Sequence, residues 1–112
     1  MTYTIEKVTT LIGARRYGDN DTNIGFILTD SRSLCFPEET LFFALKSERN
    51  DGHNYIPELY RRGVKSFVVT NVPKGYASDY PGANFLKVVN TLEALQRLAE
   101  RHLRADIPLP QR

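Results

Sequence analysis

Residues 41–54 read Leu-Phe-Phe-Ala-Leu-Lys-Ser-Glu-Arg-Asn-Asp-Gly-His-Asn, so a short apolar run is followed at once by polar residues and a glycine. An apolar run bounded in this way is typical of a buried strand that ends at the surface of a domain. Residues 41–45 therefore predict a core strand. Residues 46–54 predict a polar loop at the carboxyl end of that strand.

Three further stretches have the composition of strands. Residues 24–29 contain two β-branched isoleucines, residues 64–70 contain Phe-Val-Val, and residues 84–89 contain two valines. Such runs favour buried strands, and a brief strand is expected over residues 14–17 as well. Together these stretches predict a sheet whose strands are spread along most of the chain.

Helical spacing of apolar residues separates the predicted strands. Residues 4–12 show this spacing and are followed by Gly13, and the same pattern runs from Ile56 to Gly63. Residues 71–83 contain two prolines and two glycines and predict a loop. Strands that alternate with helices indicate an α/β layered domain.

A last helix is predicted from residue 91 to about residue 104. Asn90 and Glu93 have the spacing of a capping box at its start. Its apolar face is expected to contain Leu92, Leu95, Leu98 and either His102 or Leu103. Residues 107–110 contain two prolines and cannot continue this helix.

The length of 112 residues is typical of one domain. We expect residues 1–106 to form it and residues 107–112 to begin a linker into a further domain. The lone Cys35 excludes an intramolecular disulfide and is expected to be a small buried hydrophobe. The amino terminus lacks the apolar core of a signal peptide, and no apolar run is long enough to span a membrane, so the cytosol is the expected location.

The two polar clusters at strand ends are the candidate binding groups. Asp30, Ser31 and Arg32 offer an acceptor, a hydroxyl and a planar cation that suits a phosphate or carboxylate. Residues 46–54 add cationic groups, amides and hydroxyls, and a glycine that would let the backbone approach a ligand. Ligands in open α/β sheets bind outside the carboxyl ends of strands, which is where both clusters lie. Their mixture of amides, hydroxyls and cations suits a nucleotide diphosphate sugar.

A purely structural interpretation stands beside this one. An Asp-Ser-Arg triplet after a strand commonly forms a turn or cap with a surface ion pair, so Arg32 can pair with Asp30 instead of a ligand. An Asp-Gly-His stretch is a common turn, so His53 can be a cap or a solvated side chain.

Several classes of function are disfavoured by what the sequence lacks. It contains no phosphate-binding loop, no dinucleotide fingerprint and no nucleophile elbow. His53 and His102 are far apart and lack zinc-ligand neighbours, so no metal site and no catalytic residue is expected within the chain. The 15 basic and 13 acidic residues give a net charge of only +2, which argues against nucleic-acid binding.

The segment from Thr29 to Val69 resembles the N-terminal domain of the Mur ligases. It contains Thr-Asp-Ser-Arg, then Leu-Phe-Phe-Ala-Leu-Lys, then Asp-Gly-His-Asn-Tyr-Ile, then Gly-Val before Phe-Val-Val. Two departures are the residues Pro-Glu-Glu at 37–39, where the family has Pro-Gly-Asp, and Ser47 in place of a glycine. The first leaves the loop path between the clusters open, and the second bears on how closely the backbone approaches a ligand.

This resemblance implies a mixed sheet of about four to five strands flanked by helices, in a domain that binds the UDP part of a UDP-N-acetylmuramoyl-peptide. The implied binding residues are Ser31, Arg32, Lys46, Ser47, Glu48, Arg49, Asn50, Asp51 and His53. In the parent ligase, further domains in cis bind ATP and Mg²⁺ and the incoming amino acid. This domain is therefore not expected to bind a cofactor, and neither a nucleic acid nor a membrane is expected as its partner.

The motif Ala44-Leu45-Lys46-x-Glu48-Arg49 favours the family type that adds D-alanyl-D-alanine in the synthesis of peptidoglycan precursors. The type that adds the third peptide residue is the first alternative. A free-standing, non-catalytic α/β binding module is the second.

Overall fold

The structure is a computed structural model, and it describes residues 3–104. The strands are β1 (Tyr3–Thr4), β2 (Arg15–Tyr17), β3 (Asn23–Ile24), β4 (Phe26–Leu28), β5 (Thr40–Phe43), β6 (Ser66–Val69) and β7 (Asn84–Lys87). The helices are α1 (Ile5–Ile12), α2 (Ile56–Arg61), α3 (Tyr76–Asp79) and α4 (Thr91–Arg104). Short 3₁₀ turns cover Ser31–Ser33, Pro37–Glu39 and Gly52–Tyr55.

Five strands form the main sheet, in the order β2-β7-β6-β5-β4. The four strands from β4 to β7 are parallel, and β2 pairs antiparallel with β7 at one edge. The expected mixed sheet flanked by helices is therefore confirmed. Because β4 to β7 run in one direction, their carboxyl ends all lie along the same edge of the sheet.

Both faces of the sheet are buried, as expected for parallel strands covered by helices. Leu41 and Phe43 of β5 pack with residues of α1 and α4 in one cluster, whereas Phe42 and the following Ala44 pack with residues of α2 in the other. This alternation explains why residues 41–45 form a continuous apolar run. It also leaves the strand ends as the place where polar side chains meet.

The strand predicted over residues 24–29 is divided at Gly25. Residue Ile24 belongs to β3, which pairs with β1, whereas β4 pairs with β5 in the main sheet. The Gly25 N–H donates to the carbonyl of Glu39 at 2.9 Å. The prediction of one continuous strand was wrong because two different partners share this stretch.

The loop predicted over residues 71–83 contains the one-turn helix α3. Gly75 precedes it with a left-handed backbone (φ 69°), a conformation that favours glycine. Tyr76 and Tyr80 place their rings edge-on to Phe85, at 5.9 and 5.7 Å between centroids. Tertiary packing of these two tyrosines holds a turn that the proline and glycine content alone did not indicate.

Helix α4 begins as the sequence predicts, but its buried face differs. The Glu93 N–H donates to Asn90 Oδ1 at 3.0 Å, which is one half of a capping box. Ala94 and Leu98 are buried, whereas Leu92 is 51% exposed. The prediction that Leu92 faces the core was wrong, since the buried face begins at Thr91 and continues through Ala94 and Leu98.

Two other expectations bear on the surface. Cys35 is exposed, so the expectation of a buried thiol was wrong. It lies beside Phe36, whose exposed ring stacks on Phe26 at 4.9 Å between centroids. No helix within residues 3–104 has the length and apolar character to cross a bilayer. The linker expected over residues 107–112 lies outside the described residues.

Candidate functional site

The carboxyl ends of the four parallel strands surround a cavity of about 580 Å³. Thr29 follows β4, residues 45–47 follow β5, Thr70 follows β6, and residues 89–92 follow β7. Asn50, Gly52 and Tyr55 complete the lining. The volume lies within the range of about 300–1,000 Å³ that is usual for small-molecule sites. We call it the main cavity.

A second cavity of about 510 Å³ adjoins the main cavity. It is lined by residues 29–32, Asn50 and Tyr55, so Thr29, Asn50 and Tyr55 belong to both cavities. We call it the side cavity. The two polar clusters of the sequence thus lie within reach of one elongated ligand, with Asn50 between them.

The loop after β5 is a tight turn stabilised by its own backbone. Lys46 and Asp51 face each other in an isolated β-bridge, and the Ser47 N–H donates to the carbonyl of Asn50 at 2.7 Å. This turn places Glu48 and Arg49 at its exposed tip. Neither of these two residues lines the main or the side cavity.

Gly52 is required for packing of this loop against β5. Its N–H donates to the carbonyl of Leu45 at 2.7 Å. A Cβ atom at this position would lie 2.8 Å from the Cα of Ala44 and 2.9 Å from the backbone nitrogen of Leu45. The close approach expected between Gly52 and a ligand is therefore, first of all, a close approach to the protein's own backbone.

His53 connects the loop to the end of β6. Its backbone N–H donates to Asp51 Oδ1 at 3.0 Å, and its Nδ1 lies 2.7 Å from the same oxygen. The Thr70 N–H donates to His53 Nε2 at 3.1 Å. Because Nε2 accepts a hydrogen bond, the proton must be on Nδ1 and is donated to Asp51. Both ring nitrogens are occupied in this way, so His53 is not placed to bind a phosphate as a cation.

The same contacts affect the Asp51 carboxylate. The backbone N–H of His53, then its imidazole, lower the pKa of Asp51, and the charge of Lys46 adds to this effect. Asp51 is therefore held as an anion that fixes the histidine. Its hydrogen-bonding role is structural, and it lines neither cavity.

Arg32 forms an ion pair with Asp30 at the side cavity. Its Nη2 donates to Asp30 Oδ2 at 2.8 Å, and its Nε donates to Oδ1 at 3.1 Å. The hydrogen bonds from the Arg32 side chain, followed by the one from its backbone N–H, lower the pKa of Asp30 to about 2. The internal pairing left open by the sequence is thus observed, although Arg32 still lines the side cavity.

The structure brings together part of the predicted set. Ser31, Arg32, Lys46, Ser47 and Asn50 line the two cavities, whereas Glu48, Arg49, Asp51 and His53 do not. Sequence reasoning missed Thr29, Leu45, Tyr55, Thr70 and residues 89–92. The rule that ligands bind beyond strand ends, applied also to the strands predicted at 64–70 and 84–89, would have indicated Thr70 and residues 89–92.

A metal centre is not assembled within the described part of the chain. Among residues 3–104, no group of three or more histidine, cysteine, aspartate and glutamate side chains is placed to hold a metal ion. The arrangement can donate and accept hydrogen bonds and offers the cation of Lys46. These are properties of a binding site.

Comparison with protein families identifies the family of the chain. A family model described as the Mur ligase family, catalytic domain, matches residues 23–103. The match covers most of the chain and includes every strand end of the two cavities, and it confirms the resemblance to the Mur ligase family.

Two curated proteins are similar to the chain. A UDP-N-acetylmuramoyl-tripeptide–D-alanyl-D-alanine ligase from Bacillus subtilis (strain 168) is 35% identical over 86 residues, which is 73% of this chain and 17% of the relative. An enzyme of the same name from Synechocystis sp. (strain PCC 6803) is 38% identical over 79 residues, 70% of this chain and 16% of the relative. The chain thus spans about a sixth of the length of these relatives.

Solved structures show the same relationship. A structure of MurF from Acinetobacter baumannii superposes with a TM-score of 0.76 and 26% identity, covering 96% of this chain and 22% of that one. The structure of a UDP-N-acetylmuramoylalanyl-D-glutamyl-2,6-diaminopimelate–D-alanyl-D-alanyl ligase from the same organism superposes with a TM-score of 0.75 and 25% identity. It covers 96% of this chain and 23% of that one.

Proposed function

Because this chain belongs to the Mur ligase family, we propose that its two adjoining cavities bind the UDP part of a UDP-N-acetylmuramoyl-peptide. The observation that carries this proposal is the meeting of four parallel strand ends around a cavity of about 580 Å³. The cavities supply the amides, hydroxyls and cation that a nucleotide diphosphate sugar requires. The chain acts as the substrate-anchoring domain of an ATP-dependent ligase.

The proposed ligase adds D-alanyl-D-alanine to a tripeptide precursor. Both similar curated proteins carry this activity in their names, at 35% and 38% identity. The ligase acts in the cytosol, and its domain binds neither a nucleic acid nor a membrane.

Asn50 is the central binding group of the proposed site. It lines both cavities, and its Oδ1 accepts a hydrogen bond from the Tyr55 hydroxyl at 3.2 Å. With Oδ1 accepting this bond, the Nδ2 hydrogens remain to donate to a ligand. Ser47 adds a hydroxyl and Lys46 a cation on the same loop.

Anchoring contributes to the ligase reaction through proximity. A nucleotide held at one end of the substrate restricts the peptide carboxylate at the other end to a small volume, which replaces a bimolecular encounter by an intramolecular one. ATP and Mg²⁺ do not fit the residues of this chain, since it has no phosphate-binding loop and its described residues form no metal-ligand cluster. The proposal assigns both to further domains in cis, so the chain alone forms no amide bond.

Isothermal titration with the UDP-N-acetylmuramoyl-tripeptide tests this proposal. We expect the wild-type chain to bind, and Asn50→Ala to weaken binding about tenfold because one ligand hydrogen bond is lost. Asn54→Ala is the matched control, because Asn54 is exposed in the next turn and lines neither cavity. No binding by the wild type at millimolar precursor, or equal affinities of Asn50→Ala and the wild type, would contradict the proposed function.

A further inference from the structure

The first residue of helix α4 carries a buried hydroxyl that has no hydrogen-bond partner. Thr91 is only 5% exposed, and within residues 3–104 its Oγ1 takes part in no hydrogen bond. The buried hydroxyl of Thr40, by contrast, donates to the carbonyl of Phe36 at 2.6 Å. Ser66 also lacks a partner but lines neither the main nor the side cavity. Buried polar groups are normally hydrogen-bonded, and Thr91 lines the main cavity.

The backbone around Thr91 offers further donors. The first N–H groups of a helix have no acceptor within the helix. Asn90 Oδ1 accepts a hydrogen bond from the Glu93 N–H, and the N–H groups of Thr91 and Leu92 remain without a helical partner. The helix has 14 residues, so its dipole gives this end a partial positive charge. The hydroxyl and the two amides together favour an anion.

The rest of the cavity wall supports an anion at this position. Lys46 lines the same cavity from the loop after β5, and its cation complements a negative ligand. Val89 is 97% exposed and Leu92 is 51% exposed at the rim. A ligand that reaches the helix end would cover this apolar rim and exclude water, which strengthens charged hydrogen bonds.

We propose that the N-terminus of α4, through the Thr91 hydroxyl and the first backbone amides, binds a phosphate of a nucleoside diphosphate. This inference rests on the proposed function and deepens it. It places the diphosphate between β7 and Lys46. The neutral groups Ser47 and Asn50 then remain for the nucleoside, which carries no charge.

Calorimetric titration of the 112-residue chain with UDP and with uridine tests the assignment. Thr91→Val keeps the shape of the side chain and removes the hydroxyl, so we expect about a tenfold weaker affinity for UDP and an unchanged affinity for uridine. Thr91→Ser retains the hydroxyl and should bind UDP like the wild type. The melting temperature of Thr91→Val should not fall, because no hydrogen bond within the protein is lost.

The outcomes separate this inference from the proposed function. Equal UDP affinities of the wild type and Thr91→Val, or equal losses for UDP and uridine, would overturn the phosphate assignment alone. Failure of the wild type to bind either UDP or the full precursor would overturn both. If Thr91→Val does not fold, the wild type is titrated with inorganic pyrophosphate and the NMR signals of the Thr91 and Leu92 amides are followed. Both signals are expected to shift, and unmoved signals would overturn the phosphate assignment.

Discussion

At the scale of single residues, the polar side chains after β5 have two separate roles. Asp51 and His53 hold the loop to the end of β6 through contacts of 2.7–3.1 Å. Lys46 and Asn50 line the main cavity instead. The sequence groups all four in one cluster, because an Asp-Gly-His turn and a ligand-binding loop require the same residue types. Only the position of Thr70 reveals which of them are already occupied.

Asp51 gives a testable dependence of stability on pH. Because its folded-state pKa is lowered, its ionised form stabilises the fold above the unfolded pKa of about 3.9, and this contribution is lost as the pH falls toward the folded value. Urea unfolding between pH 2 and 7 should show Asp51→Asn less stable than the wild type near pH 6. The difference should shrink below about pH 4.

The control for this experiment is Asp19→Asn. Asp19 is exposed and makes no hydrogen bond within residues 3–104. The free energy of unfolding of Asp19→Asn should therefore stay close to that of the wild type across the pH range. A difference between Asp51→Asn and the wild type that stays constant down to pH 2 would show that the ionised carboxylate does not carry the effect.

At the scale of elements, the loop after β5 depends on one glycine. The backbone of Gly52 packs so closely on Ala44 and Leu45 that a Cβ atom would approach them to less than 3.0 Å. The obstructing atoms are backbone, which cannot move aside as a flexible side chain can. The loop and strand β5 are thus coupled at this point.

Gly52→Ala is expected to destabilise the protein by about 1–3 kcal/mol, the usual cost of forcing extra atoms into a packed site. Asn54→Ala, an exposed change two residues further on, should stay within about 0.5 kcal/mol of the wild type. Midpoints of urea unfolding compare the two. A Gly52→Ala variant as stable as the wild type would show that the loop moves away from β5 at little cost.

The elements were predictable to different degrees for physical reasons. Strands β5, β6 and β7 are buried on both faces, so their apolar runs identify them without further information. The division of the stretch at Gly25 could not be predicted, because its two halves pair with different partners, β1 and β5. Helix α3 was missed because packing of Tyr76 and Tyr80 on Phe85 stabilises it, and such contacts between distant residues leave no local pattern.

At the scale of the whole molecule, the site depends on strand order. The loop after β5 and the start of α4 are far apart in sequence, because α2, β6, α3 and β7 lie between them. They meet because β6 and β7 continue the parallel sheet in register. The sequence indicated the half of the site that follows β4 and β5. The half contributed by Thr70 and residues 89–92 required the topology, and Leu92 was assigned to the core instead.

An amide-resolved NMR titration of the ¹⁵N-labelled chain with UDP shows where on the domain the nucleotide binds. We expect the largest shifts at residues 45–47, Asn50, Gly52, Thr70 and residues 89–92, which line the main cavity. A separate cavity of about 460 Å³, lined by Tyr76, Tyr80 and their neighbours, serves as the internal control and should not respond. Shifts centred on these tyrosines, or no shifts at millimolar UDP, would contradict binding of the nucleotide in the main cavity.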